Sequence, residues 1–195
     1  MPKLGMEPIR RAALVKATID EIGAVGNLDV TVARIAKRAG MSSALAHHYF
    51  GGKEQIFLAA MRHTLTLYGA EVRGALSMAQ GPRARVEAVI RAGFTRANFR
   101  REVVAAWLNF YVLAQTLPEA QRLLTVYQGR LQSNLTHDLR KLVGSRAPDV
   151  AFRLAGLIDG LYLRQALGTV LPRNEAVADQ VIALLDLEIT KGPAT

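Results

Sequence analysis

The 195-residue chain contains no cysteine, which excludes disulfides and thiolate metal sites and suits a reducing compartment. Aromatic residues make up only 6% of it, with a single tryptophan, so any site built on ring faces must gather the few that exist. No apolar run approaches the roughly 20 residues of a membrane-spanning helix. The first residues, MPKLGMEPIRR, lack the apolar core of a secretory signal. A soluble, cytoplasmic protein with no membrane partner is expected. Alternating β-type segments bounded by turns are missing too, which leaves an all-α class. The last absence is local: no Asp or Glu occurs from Val30 to Gly52.

Half of the residues are hydrophobic, enough for a substantial core. The net charge of +9 suits an anionic partner. Residues 1–60 hold eight Lys/Arg against five Asp/Glu, so global charge does not single out this end of the chain. Local patterning does.

In TVARIAKRAGMSSALAHHYFGGK, from Thr31 to Lys53, Val32, Ile35, Ala36 and Ala39 share one helical face. Arg34, Lys37 and Arg38 repeat that spacing on the opposite, cationic face. Thr31 is placed to cap this helix, and Val30 to staple it against Ile35. Gly40 supplies the positive φ of a sharp helix end. Ser42 then caps a second short helix running to about Tyr49. Met41, Leu45 and Phe50 anchor it, which leaves Ser43, Ala44, His47 and His48 outward. Gly51-Gly52 precedes a third helix, opened by Lys53. A cation in a first helical turn opposes the helix dipole; facing a phosphate, it and the helix N-terminus act together. As an ordered set these features describe a helix-turn-helix whose second helix enters the DNA major groove. The bland alternative is a helical hairpin with a solvated basic face.

A helix from Pro8 to about Val25 precedes this unit, with Leu14, Thr18, Ile22 and Val25 inward. Arg10 and Arg11 suit surface or phosphate equally. After it, a long helix over about 53–78 carries Ile56, Ala60, His63 and Leu67 on one stripe and Phe57, Met61 and Tyr68 beside it, which makes it a natural lever. Further helices are expected over about 83–99, 102–117, 119–143, 149–168 and 174–190. The expected organisation is a three-helix DNA-binding domain over 1–52 and a larger helical ligand-binding and dimerisation domain over 53–195. The last two helices carry more aliphatic surface than one buried stripe needs, which fits either core or a two-fold interface presenting two modules to a palindromic site.

No catalytic or metal-binding residues stand out. Gly51-Gly52-Lys53 lacks the earlier glycine and following hydroxyl of a phosphate loop. His47 and His48 diverge by about 100° on a helix and make a poor metal pair. Between the two ends of the chain lie Trp107, Phe110 and Tyr111 on one helix, Tyr127 on the next, and Tyr162 one turn after Asp159. Aromatic faces plus a carboxylate are what a quaternary ammonium ligand requires. The alternative is core packing, with Asp159 paired to Arg164 or capping backbone.

The stretch TVARIAKRAGMSSALAHHYFGGKEQIF resembles the DNA-binding region of TetR-type repressors. MPKLGMEPIRR, AAWLNFY and LIDGLYLRQAL are similar to the choline-responsive branch of that family. The resemblance implies a homodimer, not an enzyme, that binds a palindromic double-stranded operator. It implies repression of genes for choline uptake and glycine betaine synthesis, lifted by choline, with no cofactor. It makes Thr31, Tyr49 and Lys53 phosphate contacts and Ser43, Ala44 and His47 candidates for base edges, with Ser42 and His48 flanking them. Trp107, Phe110, Tyr111, Asp159 and Tyr162 become the choline-binding candidates. A TetR-type sensor of another cationic or apolar molecule, or a helical small-molecule-binding protein that does not bind DNA, remain the alternatives.

Overall fold

A computed structural model of the chain describes residues 6–168 and 176–191. All regular elements among them are helical: α1 Met6–Val25, α2 Val32–Arg38, α3 Ser43–Phe50, α4 Lys53–Met78, α5 Gly81–Gly93, α6 Arg101–Leu113, α7 Pro118–Val143, α8 Ala147–Ala166 and α9 Val177–Thr190. They form two compact units. One holds the described residues up to Thr66 together with Arg100–Leu124; the other holds Leu67–Phe99 and the described residues from Thr125 onward.

In the first unit, Leu14, Ala17 and Ile22 of α1 close over Val32, Ile35 and Ala36 of α2, Ala46 of α3, and Ile56 and Phe57 of α4. Val30 and Ile35, the expected staple, are both fully buried there. Ala105 of α6 joins the same core, so this unit takes in a helix far along the chain. The second unit is built on Val86, Val89 and Ile90 of α5, Leu131, Leu135 and Leu139 of α7, Val150 and Leu154 of α8, and Val181 and Leu185 of α9. A buried Glu188 ties its last helices together through Arg146 (2.9 Å) and Arg153 (3.1 Å).

Three expectations on the helices change. The helix read over 83–99 stops at Gly93, and a 3-10 turn follows at Arg96–Phe99. Asn98 is the reason: its side chain donates to the Ala92 carbonyl (2.9 Å) and to Thr95 Oγ1 (3.1 Å), offering the backbone an alternative to another helical turn. The helix expected to reach 117 ends at Leu113, before Pro118 opens α7. On α4, His63 and Leu67 are exposed rather than inward. Ile56 and Ala60 of that stripe are buried as expected, as are Phe57 and Met61 beside it; further along the helix burial passes to Thr64 and Val72. Of the helix read over 174–190, residues 174 and 175 lie outside the described residues.

Candidate functional site

The turn between α2 and α3 is fixed by local chemistry. Thr31 Oγ1 accepts from the Arg34 amide and Ser42 Oγ from the Leu45 amide, both at 3.2 Å. Each hydroxyl keeps its own O–H free to donate outward. Gly40 sits at φ 68°, while the Met41 amide donates to the Ala36 carbonyl (2.9 Å) and the Gly40 amide to Lys37 (3.1 Å). That pair of bonds closes α2 in a Schellman arrangement. The anchor of α3 is Ala46, which is fully buried; Met41, Leu45 and Phe50 are only half-buried. Ala44, His47 and His48 are exposed and Ser43 is half-exposed, as the sequence reading requires.

His47 Nδ1 lies 3.1 Å from the Gly51 carbonyl. A carbonyl only accepts, so this geometry selects the Nδ1–H tautomer and leaves Nε2 as an acceptor. Tyr49 is half-buried because α1 holds it: Arg10 Nη1 lies 3.5 Å from its hydroxyl, and the Arg11 guanidinium stands 5.6 Å from its ring centroid and 5.1 Å from that of Phe50. The two arginines thus serve to seat the end of α3. Lys53 follows, half-buried, with Nζ 5.5 Å from the Phe57 ring centroid.

The cationic face of α2 differs from its sequence image. Glu21 of α1 is buried, accepts from Arg38 Nε, and lies 2.9 Å from Arg34 Nη2. The hydrogen bond from Arg38 holds its carboxyl below the usual carboxylate range, against the opposing effect of burial. A second feature hidden from sequence is α6 against α1. A Cβ built on Gly23 would stand 2.5 Å from the Cα of Glu102, so only glycine admits this approach. Asn109 Nδ2 donates to the Gly26 carbonyl at the end of α1 (3.2 Å).

The proposed ligand residues fall into separate groups. In the first unit Trp107 and Phe110 are buried and Tyr111 half-buried, with the Trp107 ring 6.1 Å from Phe110 and 6.0 Å from Tyr111. In the second unit the Tyr162 hydroxyl donates to the Asn98 carbonyl (3.0 Å) and its ring tilts against Phe99 at 5.1 Å. Asp159, half-buried in the same unit, accepts among the described residues from neither Arg164 nor backbone but from the Tyr127 hydroxyl, at 3.5 Å. Tyr127 meets Tyr68 edge-on at 5.8 Å, and the buried Tyr68 hydroxyl has no partner among the described residues. Burial raises the Asp159 carboxyl to about 6 despite the tyrosine's opposing hydrogen bond. Burial, then Asp159 and Glu71, push the Tyr68 hydroxyl upward as well. Two tyrosine rings, an under-compensated carboxylate and an orphaned hydroxyl therefore share one place. In sequence Tyr68 is only a flank of α4 and Tyr127 one aromatic among several; no spacing joins them to Asp159. Among the described residues no group of three or more metal-ligating side chains forms, and no helix is long and apolar enough to cross a membrane.

Comparison with known proteins accords with this geometry. Residues 14–60 match the family described as bacterial regulatory proteins, tetR family, and residues 82–188 match the family described as BetI-type transcriptional repressor, C-terminal. The chain is 50% identical over 195 residues to the HTH-type transcriptional regulator BetI of Brucella suis, covering 100% of this chain and 98% of that one. It is 48% identical over 171 residues to the protein of the same name from Agrobacterium fabrum, covering 86% and 82%. Among solved structures, a putative transcriptional regulator from Pseudomonas aeruginosa PAO1 superposes with a TM-score of 0.81 at 25% identity, covering 96% of this chain and 93% of that one. A putative transcriptional regulator from Saccharomonospora viridis, solved in complex with choline, superposes with a TM-score of 0.76 at 23% identity, covering 91% and 94%. The chain belongs to the TetR family of bacterial regulatory proteins, with a BetI-type repressor C-terminal domain, and is a DNA-binding regulator of transcription rather than an enzyme.

Proposed function

We propose that the protein is a homodimeric cytoplasmic repressor of genes for choline uptake and glycine betaine synthesis, released from a palindromic operator by choline. The observation that carries the effector assignment is Asp159 beside Tyr127 and Tyr68. A quaternary ammonium cannot donate a strong hydrogen bond, so it is held by ring faces and by a carboxylate short of compensation. Choline also carries a hydroxyl, which the unpartnered Tyr68 hydroxyl can meet. The names of the relatives and the choline-bound neighbour support the same reading. Trp107, Phe110 and Tyr111 stay candidate ligand residues of the first unit. Calorimetric titration with choline, followed in parallel by Trp107 fluorescence, tests the assignment. Silence in both would refute choline as the effector.

On the DNA side, Ser43, Ala44 and His47 are the proposed base-reading residues, flanked by Thr31, Ser42, His48 and Tyr49. Lys53 is a proposed phosphate contact. Lys53→Ala is expected to weaken binding to all duplex sequences alike and to reduce the slope of log affinity against log salt by about one. A loss confined to one base position would contradict that role.

Dimerisation is proposed on the outer face of α8 and α9. Phe152 is 74% exposed, Leu167 65% and Leu187 62%. Between them on α8, Gly156 and Gly160 are exposed, and a Cβ built on either meets nothing within 4 Å. Large apolar side chains beside bare backbone support helix-to-helix packing of a second copy. Phe152→Asp is expected to give a monomer by sedimentation and to lower operator affinity at least about tenfold, because two half-sites then bind separately. A dimer of undiminished stability would exclude this face.

A further inference from the structure

We propose that Glu21 is a selectivity residue of the DNA-binding unit: its buried carboxylate withdraws Arg34 and Arg38 from sequence-independent phosphate binding. The proposal rests on the chain being a DNA-binding regulator.

The first helix of a helix-turn-helix crosses the DNA backbone, and on α2 it would do so with Arg34, Lys37 and Arg38. Free cations there raise affinity for every sequence equally, which narrows the gap between operator and bulk DNA. Glu21 reaches across from α1 to both guanidiniums. Arg38 Nε donates to one carboxylate oxygen; Arg34 Nη2 stands 2.9 Å from the other, off the hydrogen-bonding line. Glu21 itself is only 5% exposed, so water solvates this charge little and its compensation rests on the two arginines. The arginine side chains remain 54% and 43% exposed; they are near enough to the surface to bind phosphate were the carboxylate not holding them. Lys37, exposed on the same helix, has no ion pair among the described residues. One acid thus divides the three cations of α2 into two that are held and one that is not.

The test is the salt dependence of binding by the full-length protein to random-sequence duplex DNA, from about 50 to about 200 mM salt. In Glu21→Gln the slope of log affinity against log salt is expected to steepen by about one for each arginine released, roughly 0.9 per phosphate neutralised. The ratio of operator to random-sequence affinity should fall about tenfold, within the range that separates specific from nonspecific binding. Because a buried glutamate also contributes to folding, Arg34→Gln provides an independent arm at a half-exposed site. Its random-sequence slope should stay within half a unit of wild type, since a held arginine releases few counterions. An unchanged slope in a folded Glu21→Gln protein, or loss of a full unit in Arg34→Gln, would overturn the proposal. Wild-type protein that shows no salt-sensitive binding to any DNA would overturn the DNA-binding reading, and this proposal with it.

Discussion

Asp159→Asn is expected to weaken choline binding severely while stabilising the ligand-free protein. Removing one member of a buried charge pair costs about 2 kcal/mol or more, so the choline affinity should fall at least about 30-fold. The stability effect has the opposite sign. Burial raises the Asp159 carboxyl from 3.8 to about 6. The folded state therefore prefers the neutral acid; its contribution to stability is complete below about 3.8 and is lost as pH rises through about 6. At neutral pH the ionised carboxylate is a cost of up to about 3 kcal/mol, taken at about 1.4 per pH unit. Asparagine carries no charge and escapes that cost. Melting temperatures of variant and wild type should thus coincide near pH 4, draw apart between about pH 4 and pH 6, and stay apart by a constant amount above it. Choline binding should weaken about tenfold per unit below pH 6, where the carboxyl is protonated before the ligand arrives. Equal choline affinity in variant and wild type would remove Asp159 from the site.

Tyr127 and Tyr68 mark where reading the sequence stops. Asp159 stood out because a carboxylate in an apolar run needs a partner, and that much is local. Its partner lies on α7 and the second ring on α4, so helix packing alone brings the three together. The nearer choices, Tyr162 on the same helix and Arg164 just beyond it, were favoured by spacing; Tyr162 is instead engaged by Asn98 and Phe99. In the helix-turn-helix the balance is reversed. Thr31, Gly40 and Ser42 act within three to five residues of themselves, and each was legible from residue type and position. Glu21 was not, although the stretch it serves was read as free of acid. From Val30 to Gly52 the sequence has no acid, yet in space α1 carries a carboxylate to α2. His63 shows the limit of periodicity itself: its stripe on α4 is buried at Ile56 and Ala60 but surfaces at His63 and Leu67, where burial passes to the neighbouring track at Thr64.

Gly23→Ala is expected to lower the melting temperature by about 5 to 10 °C. In an isolated helix the same change gains roughly 1 kcal/mol. Here the added carbon would meet both Cβ and Cα of Glu102, the latter at 2.5 Å. Neither atom is the end of a flexible side chain, so α1 and α6 must separate rather than repack locally. Overpacking of this kind costs about 1–3 kcal/mol or more, and each kcal/mol is worth about 2–4 °C in a chain of this size. The separation would also pull on the Asn109 bond to the Gly26 carbonyl and on Ala105 in the core shared with α2 and α3. Sequence reading assigned the lever to α4 alone. The glycine contact gives α6, which carries Trp107 and Tyr111, its own purchase on the helix that seats Tyr49. A variant that melts within 1 °C of wild type would show that the two helices yield without strain, and that this contact does not hold α6 to the DNA-binding unit.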